Sequence, residues 1–235
     1  MYHLLKRVYT ESKIPSSGDV SFCNKDKIHH ITKVLRLRPN DSLILFNEVS
    51  GEFLVQIKEA QSKSEILFTV KEHLRKSEKE KNINIAFSPI KQDRLRFLIE
   101  KCTEIGCSSF YPVITERSVI RKISVEKLRS YSISASEQSG RIRVPEIYEV
   151  QGLSMWLKNC KNKVLFCDEF EKERMVIGID TKDELSILIG PEGGFTDKER
   201  ELLTKNDNVI NVSLGKNILR SETAAIFALS AIISN

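Results

Sequence analysis

The sequence predicts an α/β chain in two parts, a small N-terminal β-barrel followed by a domain built on a parallel sheet. Three observations predict it. Residues 1–71 hold branched and aromatic runs of strand length around one helical stretch, residues 72–82 are almost wholly charged, and beyond Asn82 short apolar strands alternate with helices. A chain of 235 residues suits one large domain or two modest ones, and it buries enough surface to fold without a metal or disulfide staple.

In the first part, residues 2–6 are expected as a strand, 25–35 as a helix, and 42–47, 52–59 and 65–71 as further strands. Residues 47–51 join two of these as a hairpin loop. Residues 72–82 carry no apolar period and are read as a linker, so the domains run 1–71 and 83–235. In the second part, strands are expected at 83–87, 110–114, 163–167, 185–189 and 209–214. The helix at 93–105 places Leu95, Leu98, Ile99, Cys102 and Ile105 on one stripe and ends at Gly106. Further helices are expected at 126–139 and 153–159, and at 197–205, where Thr196 and Glu199 form a capping box. The last helix, 222–234, is apolar from Ala224 to Ile233 at every position but Ser230. A helix apolar all round is buried, and at a chain end a second subunit is the expected cover.

Residues 1–38 hold eight bases and three acids, which accounts for the whole formal net charge of +5. His3, His29 and His30 lie in the same stretch, where a polyanion would raise their proton affinity. A basic portion on a neutral body suits a phosphate-bearing partner, and a solvated basic face is the alternative. No run approaches the ~18 apolar residues of a membrane helix, and the first residues lack the apolar core of a secretion signal, so the cytoplasm is the expected compartment. Five cysteines, odd in number and without a C-x-x-C pair, argue against a zinc site and a disulfide framework.

Two strand-to-helix junctions carry candidate chemistry. Leu188-Ile189-Gly190-Pro191-Glu192-Gly193-Gly194-Phe195-Thr196 lies where open α/β sheets bind ligands, and its glycines let backbone amides approach an anionic group. It matches neither a P-loop nor a dinucleotide fingerprint, and a tight turn is the structural alternative. Leu214-Gly215-Lys216-Asn217-Ile218-Leu219-Arg220-Ser221-Glu222-Thr223-Ala224 sets Arg220 before a buried helix, where the dipole disfavours a cation unless a ligand carboxylate or Glu222 offsets it. Arg94, Lys101 and Glu104 share the polar face of their helix.

These stretches together resemble the SPOUT-class methyltransferases of the RsmE type, nearly end to end. The resemblance rests on His30 through Arg36, Lys101 through Gly106, Pro112 through Ser118, Glu137 through Arg141, Ile189 through Phe195, and Leu214-Gly215 with Ile218 through Ala224. The family has Gly-Asp after the first motif, where this chain has Asn40-Asp41, and Asn is the next best residue for a left-handed turn. The resemblance implies a PUA-like barrel that grips RNA and a SPOUT domain with a C-terminal trefoil knot, where periodicity alone gives an ordinary doubly wound sheet. It implies S-adenosylmethionine as cofactor and a homodimer formed through the final helix. The implied reaction methylates N3 of one uridine of 16S ribosomal RNA, the uracil numbered 1498, in the small ribosomal subunit.

Carried onto this sequence, the resemblance implies a cofactor pocket shaped by Leu188, Gly190, Pro191, Gly193, Gly194, Leu214, Gly215, Asn217, Ile218, Leu219 and Thr223, with residues 167–169 as a third wall. RNA would be held by Arg7, His30, Lys33, Arg36, Arg38, Arg94 and Lys101, with Arg117, Gln138 and Arg141 nearer the target base. Uracil N3 carries a proton, so the site needs a base or donors that stabilise the anion. Arg220 is assigned as the positive group near the base and Glu192 or Glu222 as proton acceptor or positioner, with no metal. Two other readings share these residues: methylation of a ribose 2′-hydroxyl, and an assembly factor that binds RNA without catalysis.

Overall fold

The structure is a computed structural model that describes residues 5–22, 25–62, 65–179 and 184–234. The chain divides into two compact units, 1–79 with 136–144, and 80–135 with 145–235.

In the first unit, strands β1 (Arg7–Tyr9), β2 (Gly18–Phe22), β3 (Ser42–Asn47), β4 (Gly51–Ser62) and β5 (Glu65–Arg75) form one sheet in the order β1-β3-β4-β5-β2. Alternate residues of all five, among them Val8, Phe22, Leu43, Leu45, Phe53 and Phe68, gather with Ile28 and Ile31 into one apolar core. Of the expected strand at 2–6, residues 2–4 lie outside the described residues and Leu5 and Lys6 are not extended into the sheet, which starts at Arg7. Strand β2 was not expected, because only Val20 and Phe22 of its five residues are buried and its sequence reads as a polar loop. The expected helix 25–35 is α-helical only in α1 (Lys25–His29). It then widens into a π turn, His30–Val34, closed by the Leu35 amide donating to the His30 carbonyl at 2.8 Å. Strand β5 runs four residues into the stretch expected as linker, since its charged end pairs with the long β4.

Residues 136–144 join this unit through the chain ends of charged side chains. Buried Glu52 pairs with both Arg7 and Arg75, Arg7 donates to the Arg141 carbonyl, and Arg75 donates to that of Gly140. Glu137 accepts from the Tyr9 amide at 3.0 Å. The segment expected with the second domain therefore has its hydrogen bonds on the barrel.

The second unit follows the predicted alternation closely. Its elements are β6 (Ile83–Phe87), α2 (Gln92–Ile105), β7 (Ser109–Ile114), α3 (Val125–Ser139, whose end lies in the first unit), β8 (Glu146–Ile147), β9 (Gln151–Gly152), α4 (Leu153–Asn159), β10 (Lys163–Cys167), β11 (Leu185–Ile189), α5 (Asp197–Thr204), β12 (Val209–Val212) and α6 (Ser221–Ile233). All pairs are parallel, in the order β12-β10-β11-β6-β7-β8, with β9 added to β7. Every residue of β6 and β11 is buried, as a sheet covered on both faces requires. Ile85, Phe87, Leu165, Ile187 and Ile189 face α2 and α6, while Ala86, Val164, Phe166 and Leu188 face α4 and α5. The capping box on α5 forms as predicted. Among the described residues, no helix is long and apolar enough to cross a membrane, and no group of His, Cys, Asp or Glu could hold a metal.

Candidate active site

Strands β10, β11 and β12 are neighbours and end at Cys167, Ile189 and Val212, so the loops that follow them open on the same edge of the sheet. Between these loops lies a cavity of ≈ 250 Å³. Of the residues assigned to the cofactor, Gly190, Pro191, Gly194, Leu214, Gly215, Asn217, Ile218 and Leu219 line it. Leu188 is instead a buried core residue on the opposite face of β11, Thr223 is exposed on α6, and Gly193 stands outside the lining against Arg117. Two glycines are required by their surroundings. The Phe195 ring lies 2.5 Å from where a Cβ on Gly190 would be, and Gly194 sits at φ +66 with Glu169 Oε1 2.7 Å from its missing Cβ.

Arg220 lines the cavity and is exposed. The local salt bridge to Glu222 is not formed, because Glu222 turns to Arg94, at 3.9 Å. Arg94 also donates to Glu192 at 3.3 Å, so one guanidinium from α2 bridges the glycine loop and the start of α6. Glu222 is largely buried and its Oε2 has no partner, whereas Glu192 is exposed at the cavity. Arg94 thus parts from Lys101, which pairs with Glu104 at 2.8 Å.

Arg117 is also committed to the loop. It donates to the carbonyls of Gly193 (2.9 Å) and Phe195 (3.3 Å). The capping-box Glu199 has a second task that its sequence position did not show, accepting from the Glu116 amide at 2.8 Å. The third wall comes from Cys167, Asp168 and Glu169, with Arg200 of α5 reaching across to them. Arg200 pairs with Asp168 and with Glu169 (3.0 Å) and lies under the Phe170 ring. Sequence reasoning missed Arg200, which reads as one more charge on a helix surface. Burial pushes the Cys167 thiol well above the usual range and keeps it protonated.

In the first unit, Lys33, Arg36 and Arg38 are exposed and His30 is half-buried beside them. Arg36 and Asn40 both hold left-handed backbone, φ 57 and 74, and the Asn40 turn is the one expected in place of Gly-Asp. Gln138 is exposed at the end of α3. Arg7 does not join the exposed bases, since its guanidinium is spent on Glu52, the Phe46 ring and the Arg141 carbonyl.

Residues 77–233 match the family described as RNA methyltransferase domain, and residues 23–71 match the RNA methyltransferase PUA domain. The chain is 36% identical over 230 residues to ribosomal RNA small subunit methyltransferase E of Rickettsia conorii, covering 96% of this chain and 94% of the relative. It is 31% identical to the enzyme of that name from Bacillus subtilis, covering 88% and 87%. The crystal structure of ribosomal RNA small subunit methyltransferase E from Neisseria gonorrhoeae, bound to S-adenosyl methionine, superposes with a TM-score of 0.86 at 27% identity, covering 97% of this chain and 96% of that one. With two family matches spanning both units and relatives aligned over nearly their full length, the chain belongs to the RNA methyltransferases of the ribosomal RNA small subunit methyltransferase E family.

Proposed function

We propose that this chain methylates N3 of a uridine in 16S ribosomal RNA, with S-adenosylmethionine as methyl donor. The observation that carries the reading is the cavity at the carboxyl ends of β10, β11 and β12, lined by Gly190, Gly194 and Gly215 and by exposed Arg220. The residues present fit that donor. Ile189, Phe195, Leu214, Leu219 and Ala224 supply apolar wall, Gly190, Gly194 and Gly215 add backbone to it, and Glu169 offers a hydrogen-bond acceptor.

When bound, S-adenosylmethionine supplies a methyl group on a positively charged sulfur. The chain's own contribution is orientation and charge. Arg220 stabilises the negative charge that spreads over O2 and O4 as N3 loses its proton. Glu192, exposed at the rim, takes that proton, and Arg94 holds its carboxylate in place, with buried Glu222 as the far anchor of Arg94. Arg117 fixes the height of the glycine loop rather than touching the base. Lys33, Arg36, Arg38 and His30 hold phosphates, and Gln138 is the exposed polar group of its motif. N3 lies on the pairing edge of the base, so the uridine reacts unpaired or extruded.

The finer features belong to the same proposal. A trefoil knot is supported by the path of the chain, which returns from the edge strand β12 to pack α6 on β6, β11 and α2, next to the loop at Gly190. A homodimer through α6 is supported by the half-buried Ile226, Phe227, Ala231 and Ile233 on a helix whose other apolar residues are buried in its own unit. The assembled small subunit is the proposed substrate and the cytoplasm the proposed compartment. The test is incubation with methyl-labelled S-adenosylmethionine and small subunits from a strain lacking the enzyme, followed by nucleoside analysis. Label in 3-methyluridine supports the reading, label in a ribose-methylated nucleoside overturns it, and a protein that binds no S-adenosylmethionine supports the assembly-factor reading instead.

A further inference from the structure

We infer that Glu169 is the residue that recognises the cofactor's ribose, accepting hydrogen bonds from its hydroxyl pair, and that Gly194 and Arg200 hold it in place for that purpose. The inference rests on the reading that the cavity takes S-adenosylmethionine. Strands β10 and β11 are adjacent and parallel, with Phe166 beside Leu188. One leads into the glycine loop and the other ends, one strand spacing of about 4.8 Å away, in Cys167-Asp168-Glu169. Where a glycine loop brings backbone against a nucleoside-bearing ligand, a carboxylate near it is placed to accept from sugar hydroxyls, which are donors that a carboxylate satisfies in pairs.

The two carboxylates of this wall differ in exposure, 8% for the Asp168 side chain against 39% for that of Glu169. Asp168 is buried, and its Oδ1 already accepts from the Phe170 amide at 3.0 Å and from Arg200. Glu169 pairs with Arg200 through Oε1, which leaves the exposed Oε2 for a ligand. Arg200 itself is enclosed between the two acids and the Phe170 ring, so it positions Glu169 rather than binding ligand. The same guanidinium argues for a ribose over the cofactor's ammonium group. Arg200 lies 3.0 Å from Glu169 Oε1, so a second cation on that carboxylate would face it at close range, whereas a neutral diol would not. Gly194 completes the arrangement, because a Cβ there would lie 2.7 Å from Glu169 Oε1 and force the carboxylate away.

The experiment compares calorimetric binding of S-adenosylmethionine, 5′-methylthioadenosine and its 2′,3′-dideoxy counterpart to the full-length parent and to Glu169→Ala, Glu169→Gln and Gly194→Ala. Methylthioadenosine keeps the ribose and lacks the amino acid. Glu169→Ala is expected to lose about 10- to 100-fold in affinity for both S-adenosylmethionine and methylthioadenosine, by the same factor, while the dideoxy compound binds the parent weakly and is indifferent to the substitution. Glu169→Gln loses less, since it keeps an acceptor. Gly194→Ala reproduces the pattern, and the double variant is no worse than the worse single one. A loss confined to S-adenosylmethionine would assign Glu169 to the ammonium group and overturn the inference, as would unchanged affinity for all three. A parent that binds none of them removes the cofactor reading itself, and a parent that binds them with Glu169→Ala unaffected removes only the role given to Glu169.

Discussion

Ser221 Oγ donates a 2.9 Å hydrogen bond to the carbonyl of Gly190, joining the first residue of α6 to the loop that leaves β11. The bond ties together two loops that both line the cavity, so it acts on the shape of the site and on stability together. Ser221→Ala is expected to cost about 0.5–1.5 kcal/mol, read as a lower denaturation midpoint at unchanged slope, and to raise KM for the methyl donor. Ser221→Thr keeps the hydroxyl and should restore both. A Ser221→Ala protein with unaltered KM would make the bond a matter of stability alone.

Arg220 stands exposed at the cavity and makes no ion pair among the described residues. Its substitution should therefore spare the fold and the methyl donor. Arg220→Ala is expected to bind S-adenosylmethionine with parental affinity and to lose about 10²–10³-fold in turnover, the usual effect of removing one stabiliser of a developing oxyanion. Single-turnover methylation beside calorimetry checks this, and near-parental turnover would take Arg220 out of the mechanism.

Arg36 combines an exposed guanidinium with a left-handed backbone at φ 57, a conformation that costs about 1 kcal/mol in a residue with a Cβ. A strained residue that points its charge outward is more readily explained by what it binds than by what it stabilises. Arg36→Gly is expected to leave stability equal or higher while weakening RNA binding, with the slope of log affinity against log salt shallower by about one. Unchanged affinity and slope would remove the π-turn region as a phosphate grip.

Glu137 is held by the Tyr9 amide, yet burial raises its carboxyl above the ordinary value of 4.5. His30, Lys27 and Arg7 act in the opposite direction without cancelling it. The folded state thus binds this proton more tightly than the unfolded chain. The contribution is favourable below about pH 4.5 and is lost as pH rises through the folded value. Glu137→Gln keeps an acceptor for the Tyr9 amide and removes the charge, so its stability at pH 7 should equal or exceed the parent's. Denaturant titrations at about pH 4.5 and 7 test this, with the variant's advantage expected at the higher pH only. A large loss at pH 7 would mean that the carboxylate charge itself holds the segment.

The second unit was legible from residue types because its strands are continuous apolar runs and its helices carry their own caps. Ile83 to Phe87, Leu185 to Ile189 and the Thr196–Glu199 box need only neighbours in sequence to be recognised. What escaped was decided by partners far along the chain. Gly18 to Phe22 becomes a strand only because β5 is there to pair with it, and Arg7 reads as a surface base until Glu52 and the Arg141 carbonyl take it inside. At the site, both glycine loops announced themselves, while the bridge from Arg94 to Glu192 and the clasp of Arg200 on Asp168 and Glu169 did not. A charged residue on a helix surface carries no mark of which loop it will meet.

The strand order of the parallel sheet also bears on how the protein is made. Strand β6 pairs on one side with β7, about 25 residues later, and on the other with β11, where Phe87 meets Ile189. As the chain leaves the ribosome, β6 and β7 can associate early, but the opposite edge of β6, apolar at most of its residues, waits for about 100 further residues to be translated. Until then it is an open template for pairing with other nascent chains. The protein thus passes, during its own synthesis, through a stage in which one edge of its central strand has no partner within the chain.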